Sequence, residues 1–371
     1  MPREIFLDQI ADTQEAVQAV VAELEAGELV CLPDDCGWNL LGLATHDSSA
    51  TLLQRSAAQG DATPTQQQSA VSIPHPSVVN DYVTDASKLF SKLSVRCWPG
   101  PVVLRGGAAQ TEGLARQWPK ASQTWGLTER GRAFYCPADS FSQEVLRAVS
   151  APALSLIGQP AERDENIQGR EISLIVRSAT PRFSSPPTVV AVNGQQFQVE
   201  RPGVVSERML ERLAGEVYLF VCTGNTCRSP MAEALFRKML ADRLRCREDE
   251  LMDHGYVVLS AGLAAYKGAA ASPEAVDLLR RDNVDLSSHE SQPVTEELLF
   301  HCDHIFTMTR SHRDALLSAY PELADQVKLL SPQNHDVPDP IGAGMDEYIR
   351  CRDSIARHLQ RLLDDIDAQD Q

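Results

Sequence analysis

The chain holds 371 residues, 43% of them hydrophobic and 23% charged, with a formal net charge of −17. That length exceeds one ordinary core and predicts two domains of roughly 150–200 residues each. Both halves are acidic, which argues against a general nucleic-acid binder, and no segment reads as a membrane span or an apolar leader, so the expected location is cytoplasmic.

Thr13–Ala26 carries helical spacing and Leu29–Leu32 reads as a strand. Asp61–Pro76 is polar, glutamine-rich and closed by two prolines, which predicts an irregular excursion. Trp98–Leu104 reads as a turn feeding a strand, and Thr180–Pro187 as a proline- and serine-rich loop. Residues 188–192 and 196–200, joined through Asn193-Gly194, carry a hairpin signature. A short helical linker, Ser206–Leu213, follows. Beyond it, strands are predicted at 217–221, 257–261, 304–308 and 327–330, and helices at 230–245, 273–281, 295–301, 311–318 and 346–365. The expected class is α/β throughout. Residues 1–205 form one domain, 206–215 a linker, and 216–371 a Rossmann-like domain with a four-stranded parallel sheet flanked by helices. In such a sheet the site lies at the carboxyl ends of the strands.

The most informative segment is Val221–Glu233, Val-Cys-Thr-Gly-Asn-Thr-Cys-Arg-Ser-Pro-Met-Ala-Glu. An apolar run, Val217–Val221, precedes it as a buried parallel strand. Strand, turn and helix N-terminus together aim backbone N–H groups at one point, which makes an anion cradle. A cysteine at its base, and no Gly-Lys-Ser/Thr ending, separate it from a nucleotide-binding loop. The helix N-terminus and Arg228 favour an ionised Cys222 sulfur able to attack phosphorus. Arg228 offers a planar fork for two phosphoryl oxygens. Ser229 can donate a hydrogen bond to the thiolate. Gly224 and Asn225 are suited to left-handed or otherwise unusual backbone angles. Thr223, Thr226 and Cys227 complete the loop. Downstream, Asp339 precedes Pro340 in a segment that cannot be helical and is the candidate general acid. These groups predict hydrolysis of a phosphorylated group through a cysteinyl-phosphate. No metal or organic cofactor is expected, because arginine and backbone dipoles supply the electrostatics.

On these motifs, with Ser260-Ala261-Gly262, the Leu298–Thr309 stretch and Asp339-Pro340, residues 216–365 resemble the low-molecular-weight protein tyrosine phosphatases. Within that superfamily they look most like bacterial protein-arginine phosphatases. The resemblance implies Cys222 as nucleophile, Arg228 as phosphate clamp, Asp339 as acid and base, Asn225 and Ser229 as loop organisers, and a phosphorylated protein as substrate. Thr226 stands where tyrosine-specific members carry a bulky aliphatic residue, and Ile341 where many relatives place tyrosine; both favour phosphoarginine over phosphotyrosine. Cys227 is the candidate redox partner of Cys222, through the reversible disulfide that family members with this pair form. An arsenate reductase of the same fold is the chemical rival, but Cys302 is the sole further cysteine in the region that such a relay uses, and it precedes a strand.

Gly27–Leu43, Trp98–Leu104, Thr188–Val190 and Arg201-Pro202-Gly203 resemble the YrdC-type domains of threonylcarbamoyl-adenylate synthases. The family's Pro-Thr-Asp-Thr and Tyr-Gly-Leu read here as Pro33-Asp34-Asp35-Cys36 and Trp38-Asn39-Leu40. Its Lys-x-Arg segment is reduced near Leu53–Ser56, and its Ser-Ala-Asn is replaced around Ser155–Gly158. These departures predict a fold kept without synthase activity, with a non-catalytic scaffold or an RNA-directing module as the competing role. The nine cysteines include no Cys-x-x-Cys pair, so reduced thiols are expected.

Overall fold

The computed structural model describes residues 2–58, 69–158, 171–178 and 181–369. Residues 61–68 of the predicted polar excursion, and Thr180 of the proline-rich loop, lie outside the described residues. The chain divides into two compact units, Met1–Leu213 and Ala214–Gln371.

The first unit is built on a mixed sheet. Its strands are β1 (Arg3–Phe6), β2 (Val30–Asp34), β3 (Gly37–Leu43), β4 (Ser69–Ser72), β5 (Val102–Gly106), β6 (Leu127–Thr128), β7 (Gly131–Tyr135), β8 (Ala153–Ile157), β9 (Leu174–Arg177), β10 (Thr188–Asn193) and β11 (Gln196–Arg201). They lie in the order β1-β9-β2-β3-β8-β4-β7-β5-β10-β11, with β6 beside β7. Helices α1 (Thr13–Glu25), α2 (Asp47–Ala58), α3 (Lys88–Cys97), α4 (Lys120–Gln123), α5 (Ser140–Ala148) and α6 (Glu207–Ala214) complete it. Most of β2, β3, β5, β7 and β8 is buried along its whole length. Strands covered on both faces lose the alternation that marks a strand in sequence, which is why β3 and β8 escape a periodicity reading. β2 also runs on through Pro33, two residues beyond the predicted run. The predicted hairpin is β10 with β11, antiparallel, turning at Asn193-Gly194. Gly194 has φ +60 with open space around it, so backbone conformation alone calls for glycine there.

In the second unit, β12 (Glu216–Cys222), β13 (Tyr256–Gly262), β14 (His304–Thr307) and β15 (Val327–Leu329) form a sheet ordered β13-β12-β14-β15, with every pairing parallel. Helices α7 (Arg228–Leu244), α8 (Pro273–Arg281), α9 (Glu296–Phe300), α10 (Arg310–Ala319) and α11 (Met345–Gln369) follow the strands. The apolar run in β12 serves two cores. Tyr218, Phe220 and Cys222 join a cluster with Phe236 of α7 and Ile355 and Leu359 of α11. Leu219 and Val221 join another with Leu299, Ile305 and Leu316. The chain leaves β12 toward β13 on one side and later crosses to β14 on the other. A crevice therefore opens at the carboxyl end of β12, where the direction of winding reverses. Cys222 is the last residue of that strand and points to the α7 side.

Candidate active site

The loop after β12 folds back on its own sulfur. The Asn225 backbone N–H donates to Cys222 Sγ at 3.2 Å, and Ser229 Oγ lies 3.0 Å from the same sulfur. Asn225 has φ 54, a left-handed conformation that asparagine tolerates because its side chain bonds locally. It is fully buried, and its Nδ2 donates to Ser229 Oγ at 3.0 Å and to Ser260 Oγ at 2.8 Å. Its Oδ1 accepts from the Gln292 N–H at 2.8 Å, and its carbonyl lies 2.8 Å from His289 Nε2. Ser260 Oγ donates in turn to Glu233 Oε2 at 2.6 Å. Burial pushes the Glu233 carboxyl up, and the hydrogen bond from Ser260 pulls it the other way.

Gly224 and Asn225 divide the expectation from sequence between them. Its φ lies outside the left-handed region, and an added Cβ would meet only Thr226 Oγ1 at 3.6 Å, an ordinary contact. Asn225 alone carries the loop's left-handed turn. The glycine with no room is Gly262, at the end of β13. A Cβ there would stand 2.6 Å from the Thr223 carbonyl and 2.8 Å from the Asn225 nitrogen. The Ser-Ala-Gly motif thus lets the loop lie directly on the neighbouring strand.

Arg228 opens α7 and is 4% exposed, so its guanidinium is fixed by what surrounds it. One terminal nitrogen donates to the Val337 carbonyl at 3.3 Å; the other donates to Thr223 Oγ1 at 3.4 Å and forms an ion pair with Asp339. The Asp-Pro loop is brought there by Val337, which is buried and donates its N–H to the Met308 carbonyl at 2.8 Å. Asp339 keeps a side chain 40% exposed, and its Oδ1 accepts the Ile341 N–H at 3.2 Å. Ile341 itself is 66% exposed. Cys222, Arg228, Ser229 and Asp339 thus converge on the mouth of α7, where backbone N–H groups and the helix dipole favour an anion.

Cys227 is buried, and its sulfur lies 3.4 Å from the Tyr348 hydroxyl of α11 and 3.7 Å from Thr226 Oγ1. The Thr226 carbonyl accepts from the Ser272 N–H at 2.8 Å. Cys222, Cys227 and Cys351 are buried thiols. Cys302 sits in the cluster on the opposite face of the sheet from Cys222, with its thiol on the Leu298 carbonyl at 3.0 Å. Among the described residues no group of three or more His, Cys, Asp or Glu side chains is placed to hold a metal ion. No helix among them is long and apolar enough to cross a membrane.

Sequence reasoning missed four neighbours of the site: His289, His312, Tyr348 and Cys351. His312 stands in the first turn of α10, and its Nε2 lies 2.9 Å from Thr223 Oγ1. A visible signal was its place just after β14, at the same carboxyl end of the sheet as the cysteine loop. Cys351 is buried in the cluster that holds Cys222 and Cys227, and burial pushes its thiol up to about 12.

The family profile described as low molecular weight phosphotyrosine protein phosphatase matches residues 217–371. The protein-arginine-phosphatase of Bacillus subtilis (strain 168) is 38% identical over 148 residues, covering 39% of this chain and 92% of that protein. The protein-arginine-phosphatase of Geobacillus stearothermophilus is 32% identical over 155 residues, covering 41% and 96%. An arsenate reductase of Bacillus cereus (strain G9842) is 30% identical over 143 residues, covering 38% and 90%. Each of these relatives is covered over at least 90% of its length, and the family profile falls wholly within the unit that carries Cys222. Through that unit the chain belongs to the low molecular weight phosphotyrosine protein phosphatase family, and it is a phosphatase-type enzyme.

Proposed function

We propose that the chain is a protein phosphatase that works through a cysteinyl-phosphate on Cys222 and prefers phosphoarginine to phosphotyrosine. The observation that carries the chemistry is the convergence of Cys222, Arg228 and Asp339 at the N-terminus of α7. In the first step Cys222 sulfur attacks phosphorus, an S–P bond forms, and the bond from phosphorus to the leaving atom breaks. Asn225 N–H and Ser229 O–H stabilise the sulfur before attack and as it leaves again. Arg228 exchanges the Asp339 carboxylate for phosphoryl oxygens, which frees Asp339 to face the leaving atom and protonate it. In the second step Asp339 takes a proton from water, water oxygen attacks phosphorus, and the S–P bond breaks.

Two features support phosphoarginine. Thr226 offers a hydroxyl and little apolar surface beside the phosphoryl site, and the exposed Ile341 stands where many relatives place tyrosine. The protein-arginine-phosphatase relatives match this unit over almost their full length. Arsenate reduction is disfavoured because Cys302 lies across the sheet and burial keeps the Cys351 thiol protonated. The test is turnover of matched phosphoarginine and phosphotyrosine peptides by the wild type and Thr226→Ile. The variant is expected to shift preference toward phosphotyrosine at least about tenfold, a few contacts' worth of pocket discrimination. An unchanged preference ratio sinks the substrate assignment.

For the first unit we read a YrdC-like fold without synthase activity. Asp34 is buried where the family has threonine, with Oδ1 accepting the Cys36 N–H at 2.9 Å and the Tyr135 hydroxyl at 3.0 Å. A carboxylate there disfavours a nucleotide's phosphates. Saturable ATP binding by titration would overturn this reading.

A further inference from the structure

We infer that His312 is a positioning residue for the phosphate clamp, holding the Arg228 guanidinium in plane through the Thr223 hydroxyl. This rests on the phosphatase reading above and extends it to a residue outside the cysteine loop and the Asp-Pro segment.

The geometry is a three-member chain. His312 Nε2 lies 2.9 Å from Thr223 Oγ1, and Arg228 donates to that same oxygen at 3.4 Å. The contact joins groups 89 residues apart. α10 delivers the imidazole: Thr309 caps the helix by accepting the His312 N–H at 3.3 Å, which places His312 in the first turn, beside the loop that follows β12. His312 is 7% exposed, and among the described residues its buried Nδ1 has no hydrogen-bond partner. Burial and the nearby Arg228 charge push its pKa down, against smaller opposite pulls from Asp339 and Asp336. The ring is therefore neutral at neutral pH. With no acceptor at Nδ1, the form that carries its proton on Nε2 leaves no buried N–H unpaired. The Thr223 oxygen then accepts from both His312 and Arg228.

That arrangement matters because Arg228 has two terminal nitrogens and, among the described residues, three anchors. Val337 holds one nitrogen. The other is shared between Asp339 and Thr223. When phosphoryl oxygens replace Asp339, Thr223 is the remaining side-chain anchor on that nitrogen, and His312 sets where its hydroxyl points. A free threonine rotor would let the fork tilt, and misplacement of a clamping group weakens the transition state more than ground-state binding.

The experiment uses the full chain with para-nitrophenyl phosphate and measures kcat and KM separately. Wild type and Cys222→Ser come first. Without Cys222-dependent turnover the phosphatase reading falls, and this inference falls with it. Given turnover, His312→Leu is expected to lower kcat about tenfold while KM moves less than about threefold. His312→Gln restores a donor near the Nε2 position and is expected to return kcat to within about threefold of wild type. Thr223→Val is expected to match His312→Leu, and the double variant to be no worse than either single one. The inference is overturned, with the phosphatase reading intact, if His312→Leu keeps kcat within twofold of wild type, as about 0.4 kcal/mol would allow. Gln no better than Leu, or losses that multiply in the double variant, overturn it equally.

Discussion

Gly262→Ala tests how tightly the loop is seated. The new methyl would meet the Thr223 carbonyl oxygen at 2.6 Å, the Asn225 nitrogen at 2.8 Å and Ala265 Cβ at 2.9 Å, where ordinary contact begins at 3.4 Å. The overlaps call for movement of about 0.5–0.8 Å, and two of the three obstacles are backbone atoms that cannot rotate away. Strand β13 is held in register against β12, with Gly262 opposite Cys222. The yielding part is therefore the cysteine loop. A displacement of that size moves the Asn225 N–H off the sulfur and the loop amides off the phosphoryl site. A misplacement near 1 Å costs about a hundredfold in rate, so kcat is expected to fall by about 30- to 100-fold. Overpacking should also lower stability by about 1–3 kcal/mol, visible as a lower urea midpoint. Gly344→Ala is the control, because no described residue lies within 4 Å of its added Cβ and its backbone is not left-handed. Steady-state turnover of para-nitrophenyl phosphate, paired with urea unfolding, reads both effects. Gly262→Ala with kcat within threefold of wild type would refute the account of how the loop is seated.

Asp339→Asn is expected to slow aryl phosphates with poor leaving groups by about a hundredfold and those with good leaving groups far less; a uniform loss across leaving groups contradicts proton donation by Asp339. In the first unit, burial raises the Asp34 carboxyl from 3.8 to about 6. The folded state then binds a proton more tightly than the unfolded chain, so stability is present below the ordinary value and is lost as pH rises through about 6. Asp34→Asn should remove that loss and stabilise the chain at neutral pH by on the order of 3 kcal/mol, two pKa units' worth. Urea midpoints that run parallel in both variants from about pH 4 to about pH 7 would contradict it.

The second unit was legible because its signals are local and agree with one another. β12 is apolar without a break because Phe220 and Leu219 serve opposite cores, and the following loop announces its turn with Asn225. α8 runs over the predicted residues because Ser272 caps it, accepting the Ala275 N–H, and Pro273 sits at the first helical position. Arg228 starts α7 two residues earlier than expected, since Cys227 with its unusual backbone is the cap and Pro230 falls within the first turn, where its missing N–H costs nothing. What stayed hidden is non-local. Tyr348 reaches Cys227 across 121 residues, and no spacing rule connects them. The first unit yielded less because its central strands are buried on both faces and lose their alternation, and because Pro33 lies inside β2 where a proline ordinarily argues against a strand.

The proposed reaction runs through a phosphorus–sulfur bond to one residue. Rapid acid quench of the full chain mixed with labelled substrate, followed by peptide mapping, should find a single phosphoryl group on Cys222, none in Cys222→Ser, and a larger trapped fraction in Asp339→Asn. Label on any other side chain, or full turnover by Cys222→Ser, would contradict it.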